Sequence, residues 1–219
     1  MRPFKPIERE HAMTKIALKA IENEMMCIKE MDKILNHLGK RMVDNDYMEL
    51  ETIFELSGLD AAIRCLSFLT EEYESKIRLF ACDISDRVLF IWEEKYPDDK
   101  RPSESIRVNR AYAKGEASKE DVKNAESAAI SAAEKAIKEH KAKGKKDMYI
   151  QASACAALAA SHSSMEGRAY VYAQSARNCA FAKKIIKSSW SEDEICYLFK
   201  YELEYQKKLF LQYFGKDQP

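Results

Sequence analysis

ACDISDRVLFIWEEKYPDDKRPSESIRVNRAYAKGEAS, residues Ala81–Ser118, decides how the chain is read. With Ile77 and Phe80 just before it, the stretch sets Ala81, Ile84, Val88, Ile91 and Trp92 three and four residues apart, which is the spacing of a buried helix face. Pro97 then predicts a stop, because it lacks an amide hydrogen and disfavours helix at the residue before it. Pro102 suits the first turn of a second helix. Gly115 suits the left-handed position that closes it. Between the prolines stand four consecutive charges, Asp98, Asp99, Lys100 and Arg101. The pattern is helix, charged loop, helix.

Helical spacing recurs in both directions from this pair. Met13, Ala17, Ala20, Cys27, Met31, Ile34 and Leu38 predict one long helix from Ile7 to Leu38, stopped at Gly39. Asp44–Leu56 predicts a shorter helix ended by Ser57-Gly58, and Leu59–Leu69 another. Ser118-x-x-Asp121 and Ser191-x-x-Glu194 read as capping boxes. Alanine and serine recur through Ala125–Ala182, where small side chains let helix axes approach closely. The last helix, to about Tyr213, carries Phe199, Leu203, Phe210 and Phe214. The expected fold is all-α: a single compact multi-helix domain of about 8–9 helices with an alanine-rich centre. Its parts are an N-terminal helical extension over 1–57, a core over 58–188, and an aromatic C-terminal helix over 189–219.

Composition narrows the function classes. Gly 6 and Pro 5 are too few for the frequent turns of a sandwich or barrel. Lys+Arg 36 balances Asp+Glu 36, so no net charge draws the chain to nucleic acid or an anionic membrane. The basic run Lys135–Lys146 lacks interleaved aromatics and reads as a solvated helix end. The six cysteines form no C-x-x-C pair, and no apolar run is long enough to span a bilayer. MRPFKPIEREH does not read as a secretory leader. Free thiols in a reducing cytoplasm are expected.

Candidate chemistry is sparse. Glu8-x-x-His11 is the one Glu-x-x-His pair, where a di-iron bundle needs two. Cys155 lies among alanines, where burial leaves a thiol inert. His162 reads as a helix-end histidine. No nucleophile elbow, Walker loop or dinucleotide fingerprint occurs. No catalytic residue, metal or cofactor is expected.

Binding is better represented. Asp98, Asp99 and Arg101, with Arg107, Arg110 and Lys114 along one face of the next helix, could grip a charged partner. For a loop between two prolines the structural role is favoured, in which Asp99 caps that helix and Arg101 ties the loop to its neighbours. Tyr197, Tyr201 and Tyr205 repeat every four residues on a second face of the last helix. That face suits a dimer or partner contact.

The block Trp92–Arg101 (WEEKYPDDKR), with Pro102, Ile106, Arg110, Ala111, Tyr112 and Gly115, resembles a known family. It is similar to the bacterial immunity proteins numbered five among the antidotes of polymorphic toxin systems, over about residues 58–182. Their pattern is an apolar helix ending in an acidic residue, a P-x-D-x-R-P loop, an alanine-and-isoleucine helix and an aromatic before glycine. Here those elements are Glu94, Pro97, Asp99, Arg101, Pro102, Ile106, Tyr112 and Gly115. Ser103 stands where relatives often carry a basic residue, and Tyr112 where they often carry tryptophan. The resemblance implies a cytoplasmic inhibitor that neutralises a cognate protein toxin by direct association, without catalysis. The alternative of a different class is a helical enzyme with an unrecognised, metal-dependent or metal-free site. A lesser one is a helical nucleic-acid-binding or scaffold protein.

Overall fold

A computed structural model of the chain describes residues 15–24, 28–69, 71–142, 158 and 192–215. They fall in two units, Met1–Cys65 and Leu66–Pro219. Apart from two three-residue strands, the elements among these residues are helices, as the periodicity predicts.

In the first unit, Lys15–Ala17 (β1) pairs antiparallel with Tyr47–Glu49 (β2), setting Ile16 opposite Met48. Both side chains are buried, and Lys15 meets Glu49 across the ladder at 3.8 Å. This corrects the expected continuous helix from Ile7 to Leu38. The chain is extended at Lys15–Ala17, and the helices that follow among the described residues are Leu18–Glu24 (α1) and Ile28–His37 (α2). The cause is tertiary: burying Ile16 against Met48 outweighs a helical period that is weak at the segment's start. Ile34 and Met31 are buried on α2, while Asp32, Lys33 and Asn36 face water. Gly39, at φ +67°, closes α2 as its spacing predicts, with the Lys40 amide donating to the Leu35 carbonyl at 2.8 Å.

Lys40 pairs with both Asp44 and Asp46, and Asp46 donates its amide to Asp44, shaping the turn into β2. The helix expected from Asp44 therefore starts later, at Leu50–Ser57 (α3). Gly58, at φ +84°, breaks the chain into Leu59–Cys65 (α4), where Ala61, Ala62, Ile63 and Cys65 are all buried.

The second unit opens with 3-10 turns at Leu66–Phe68 and Glu71–Tyr73 and continues as a long helix, Glu74–Lys95 (α5). Phe80, Ala81, Ile84, Val88, Ile91 and Trp92 are buried, as their spacing predicts. Arg101–Ala113 (α6) packs on α5, and Lys119–Ala142 (α7) packs on α6. Glu192–Phe214, the next described helix (α8), packs on α5. Phe80 sits edge-on to Phe210, Tyr213 and Phe214 at 6.0, 5.9 and 5.6 Å, the favoured geometry for aromatic quadrupoles.

Local signals place the helix ends. Gly115, at φ +78°, terminates α6, with the Glu116 amide bonded to the Ala111 carbonyl at 2.9 Å. Ser118 and Asp121 form the reciprocal capping box, amide to side chain in both directions, at 2.9 and 3.1 Å. Ala129, Ala132, Ala133 and Ala136 form the buried stripe of α7. The rest of the alanine-rich stretch, and Ser191 of the second capping box, lie outside the described residues.

Candidate partner-binding site

The charged loop is built on the end of α5. Trp92 is 1% exposed and donates its indole N–H to the Asp99 carbonyl at 2.7 Å. Tyr96 lies on the Trp92 ring at 4.4 Å, and its hydroxyl donates to Glu139 of α7 at 2.8 Å. A turn joins them, with the Asp99 amide donating to the Tyr96 carbonyl at 3.1 Å. The loop is thus braced from the core beneath it and from a neighbouring helix.

The Asp99 carboxylate serves the start of α6 and the Arg101 side chain together. Arg101 donates to Asp99 from its amide at 3.3 Å, from Nε at 2.8 Å and from a terminal guanidinium nitrogen at 2.5 Å. Asp99 therefore satisfies an orphan amide of α6 and orients the Arg101 fork in one arrangement. The residue at the helix N-cap is Lys100, whose side chain makes no capping bond. Arg101 holds the Asp99 carboxyl below the usual carboxylate range; burial opposes this, and the Lys135 charge adds to it.

A groove of about 870 Å³ runs between this loop and α7. Residues 95–101 and Glu104 line one side, with Ala125, Ala128 and Lys135 on the other. The alanines keep that side low, while the loop supplies charge of both signs. Lys135 enters the site from a residue far along the chain.

The three basic positions of α6 differ in their surroundings. Arg107 is 67% exposed on its side chain and forms a fork with Glu104 at 2.7 and 2.6 Å. Lys114 is exposed. Arg110 instead turns toward α5, donating to Asp83 at 2.8 Å and Asp86 at 3.0 Å. Tyr213 of α8 donates to the other oxygen of Asp83 at 2.7 Å, so one carboxylate links three helices. Burial, then the Asp83 bond, push the Tyr213 hydroxyl well above its ordinary pKa. For Arg110 burial works against the charge, and the bonds to Asp83 and Asp86 outweigh it and raise its pKa. Arg110 thus has a structural role whatever else it does.

The tyrosine face of α8 meets Arg87 of α5. The Arg87 guanidinium lies over Tyr205 at 4.1 Å and nearer the edge of reach of Tyr201 at 5.8 Å. Its Nε donates to Glu202 at 2.9 Å, and Gln206 donates to the same carboxylate at 3.2 Å. Tyr201 remains exposed on its outer side. The side chain of Tyr197 lies outside the described residues, as do Glu8, His11, Cys155 and His162.

The family model described as "Imm-5 like putative immunity protein" matches residues 67–194, more than half of the chain. The chain belongs to this family. No curated protein and no solved structure matches it. The family match lies within the second unit and contains the whole groove, from Lys95 to Lys135. The first unit and the tyrosines of α8 lie outside the match. No helix among the described residues is long and apolar enough to cross a membrane.

The sequence alone does not assign Lys100 or Lys135 to the site, and it does not show the brace from Tyr96 to Glu139. Tyr96 and Glu139 are 43 residues apart, and nothing local marks them as a pair. Asp83 and Asp86 did carry a signal. They lie three apart on the helix before the loop, and a helical hairpin brings that helix back against Arg110.

Proposed function

We propose that the chain is an immunity-type inhibitor that neutralises a cognate bacterial toxin by direct association and without catalysis. Membership of the immunity family carries this reading. The braced loop supports it, because an inhibitor surface that is rigid before contact loses little conformational freedom on binding. The proposed contact face comprises Asp98, Asp99 and Arg101 of the loop with Arg107 and Lys114 of α6. Arg110 supports that face through Asp83 and Asp86. A second contact at Tyr201 and Tyr205, continued by Tyr197, is the other candidate, where a homodimer could also form. The site of action proposed is the cytoplasm.

Co-expression tests this reading. The protein is produced together with a toxin encoded beside its gene, and growth is scored. Restored growth with a stable one-to-one complex on gel filtration is expected. Restored growth without any complex, through destruction or modification of the toxin, would instead make the protein an enzyme.

A further inference from the structure

The charges lining the groove beside the proline-bracketed loop are unequal in their engagements. Asp99 is held by Arg101, and Glu104 is held by Arg107, so two of the three lining carboxylates already face a guanidinium. Lys100 reaches Glu93 only at 4.0 Å, with both side chains well exposed. Lys135 makes no ion pair among the described residues, and its charge acts across the groove on Asp99. Asp98 is the remaining lining acid, and it too makes no ion pair among the described residues.

We infer that this groove receives an acidic segment of the bound protein, with a carboxylate seated between Lys100 of the loop and Lys135 of α7. The inference rests on the toxin-binding reading and names the chemistry of its contact. Lys100 and Lys135, from different elements, line the same groove, and the short side chains of Ala125 and Ala128 line it between them in sequence. Lysine suits such a slot because its three donors rotate to meet a carboxylate from several directions. A nucleic-acid strand fits less well. It would need aromatic faces for its bases, whereas Trp92 is buried and Tyr96 lies on Trp92 with its hydroxyl bonded to Glu139. The Arg101 fork that would hold a phosphate is occupied by Asp99.

The full chain, labelled with nitrogen-15, is titrated separately with an octaglutamate peptide, an octalysine peptide and an eight-residue thymidine oligonucleotide. Octaglutamate should give saturable amide shifts at residues 95–104 and 125–135, with a Kd of about 1 mM or tighter. The double variant K100E/K135E should weaken that binding at least about tenfold, and Asp98→Asn should strengthen it. All three positions carry no buried contact that folding needs, and an unchanged melting temperature confirms that the variants fold. Preference for octalysine or the oligonucleotide, or no saturable shift with octaglutamate, overturns the inference. Loss of toxin rescue in K100E/K135E extends the result to the biological partner. Rescue by the natural chain without octaglutamate binding refutes the acidic-segment contact alone. Octaglutamate binding without rescue or complex formation refutes the toxin reading instead.

Discussion

Arg107 and Arg110 stand one helical turn apart on α6, yet alanine at each should have opposite consequences. Arg107 and Glu104 are 67% and 50% exposed, an arrangement in which solvent screening leaves an ion pair little effect on stability. Arg110 and Asp83 are 34% and 30% exposed, and Arg110 donates to two carboxylates. Charge-assisted hydrogen bonds contribute about 1.5–3 kcal/mol where desolvated. Partial exposure reduces this, and Asp83 keeps its bond from Tyr213, so about 1–2 kcal/mol is expected for Arg110→Ala. For a unit of this size that corresponds to a fall in Tm of about 2–8 °C, against less than about 2 °C for Arg107→Ala. Urea titration followed by circular dichroism measures both. A cycle with Asp83→Ala should show a coupling near 1 kcal/mol, because either change alone removes the same bond. Toxin affinity should fall for Arg107→Ala without loss of stability. The reasoning fails if Arg107→Ala destabilises more than Arg110→Ala, or if Arg110 and Asp83 prove additive.

Three further outcomes follow from particular contacts. Asp99→Ala should cost roughly 0.5–2 kcal/mol, read by urea titration, since it strips the first amide of α6 and releases Arg101. Its carboxyl titrates below the ordinary value, so the Arg101 contact contributes fully above about pH 4 and fades as acid protonates the folded form; the stability difference between natural chain and variant should shrink there. Phe80→Ala should cost about 3–5 kcal/mol and expose α8 to hydrogen exchange, because Phe210, Tyr213 and Phe214 lose their common partner. Gly115→Ala should cost about 1 kcal/mol by calorimetry from the left-handed backbone alone, since nothing lies within 4 Å of the added carbon.

What the sequence determined by itself is local. The prolines at 97 and 102, Gly115, and the Ser118–Asp121 box set helix ends, because each acts through its own backbone or through bonds to residues a few positions away. The buried stripe of α5 was legible for a similar reason: helix geometry converts spacing in the chain directly into a face. The family pattern was also legible, because its residues are consecutive around the loop.

Tertiary structure decided the rest. Ile16 lies within the segment read as one long helix, yet its partner Met48 lies beyond a turn made by Lys40, Asp44 and Asp46, so the ladder depends on contacts no local period contains. Arg107 and Arg110 are indistinguishable in sequence, and only the approach of Asp83 and Tyr213 makes the second structural. The sequence reads Lys135 as part of a solvated helix end, and only the packing of α7 brings it to the groove that Asp99 and Lys100 also line. The physical reason is common to all three. Backbone caps and helical faces act over one or two turns, whereas charge pairing and groove shape depend on distances between segments set by packing of the whole unit.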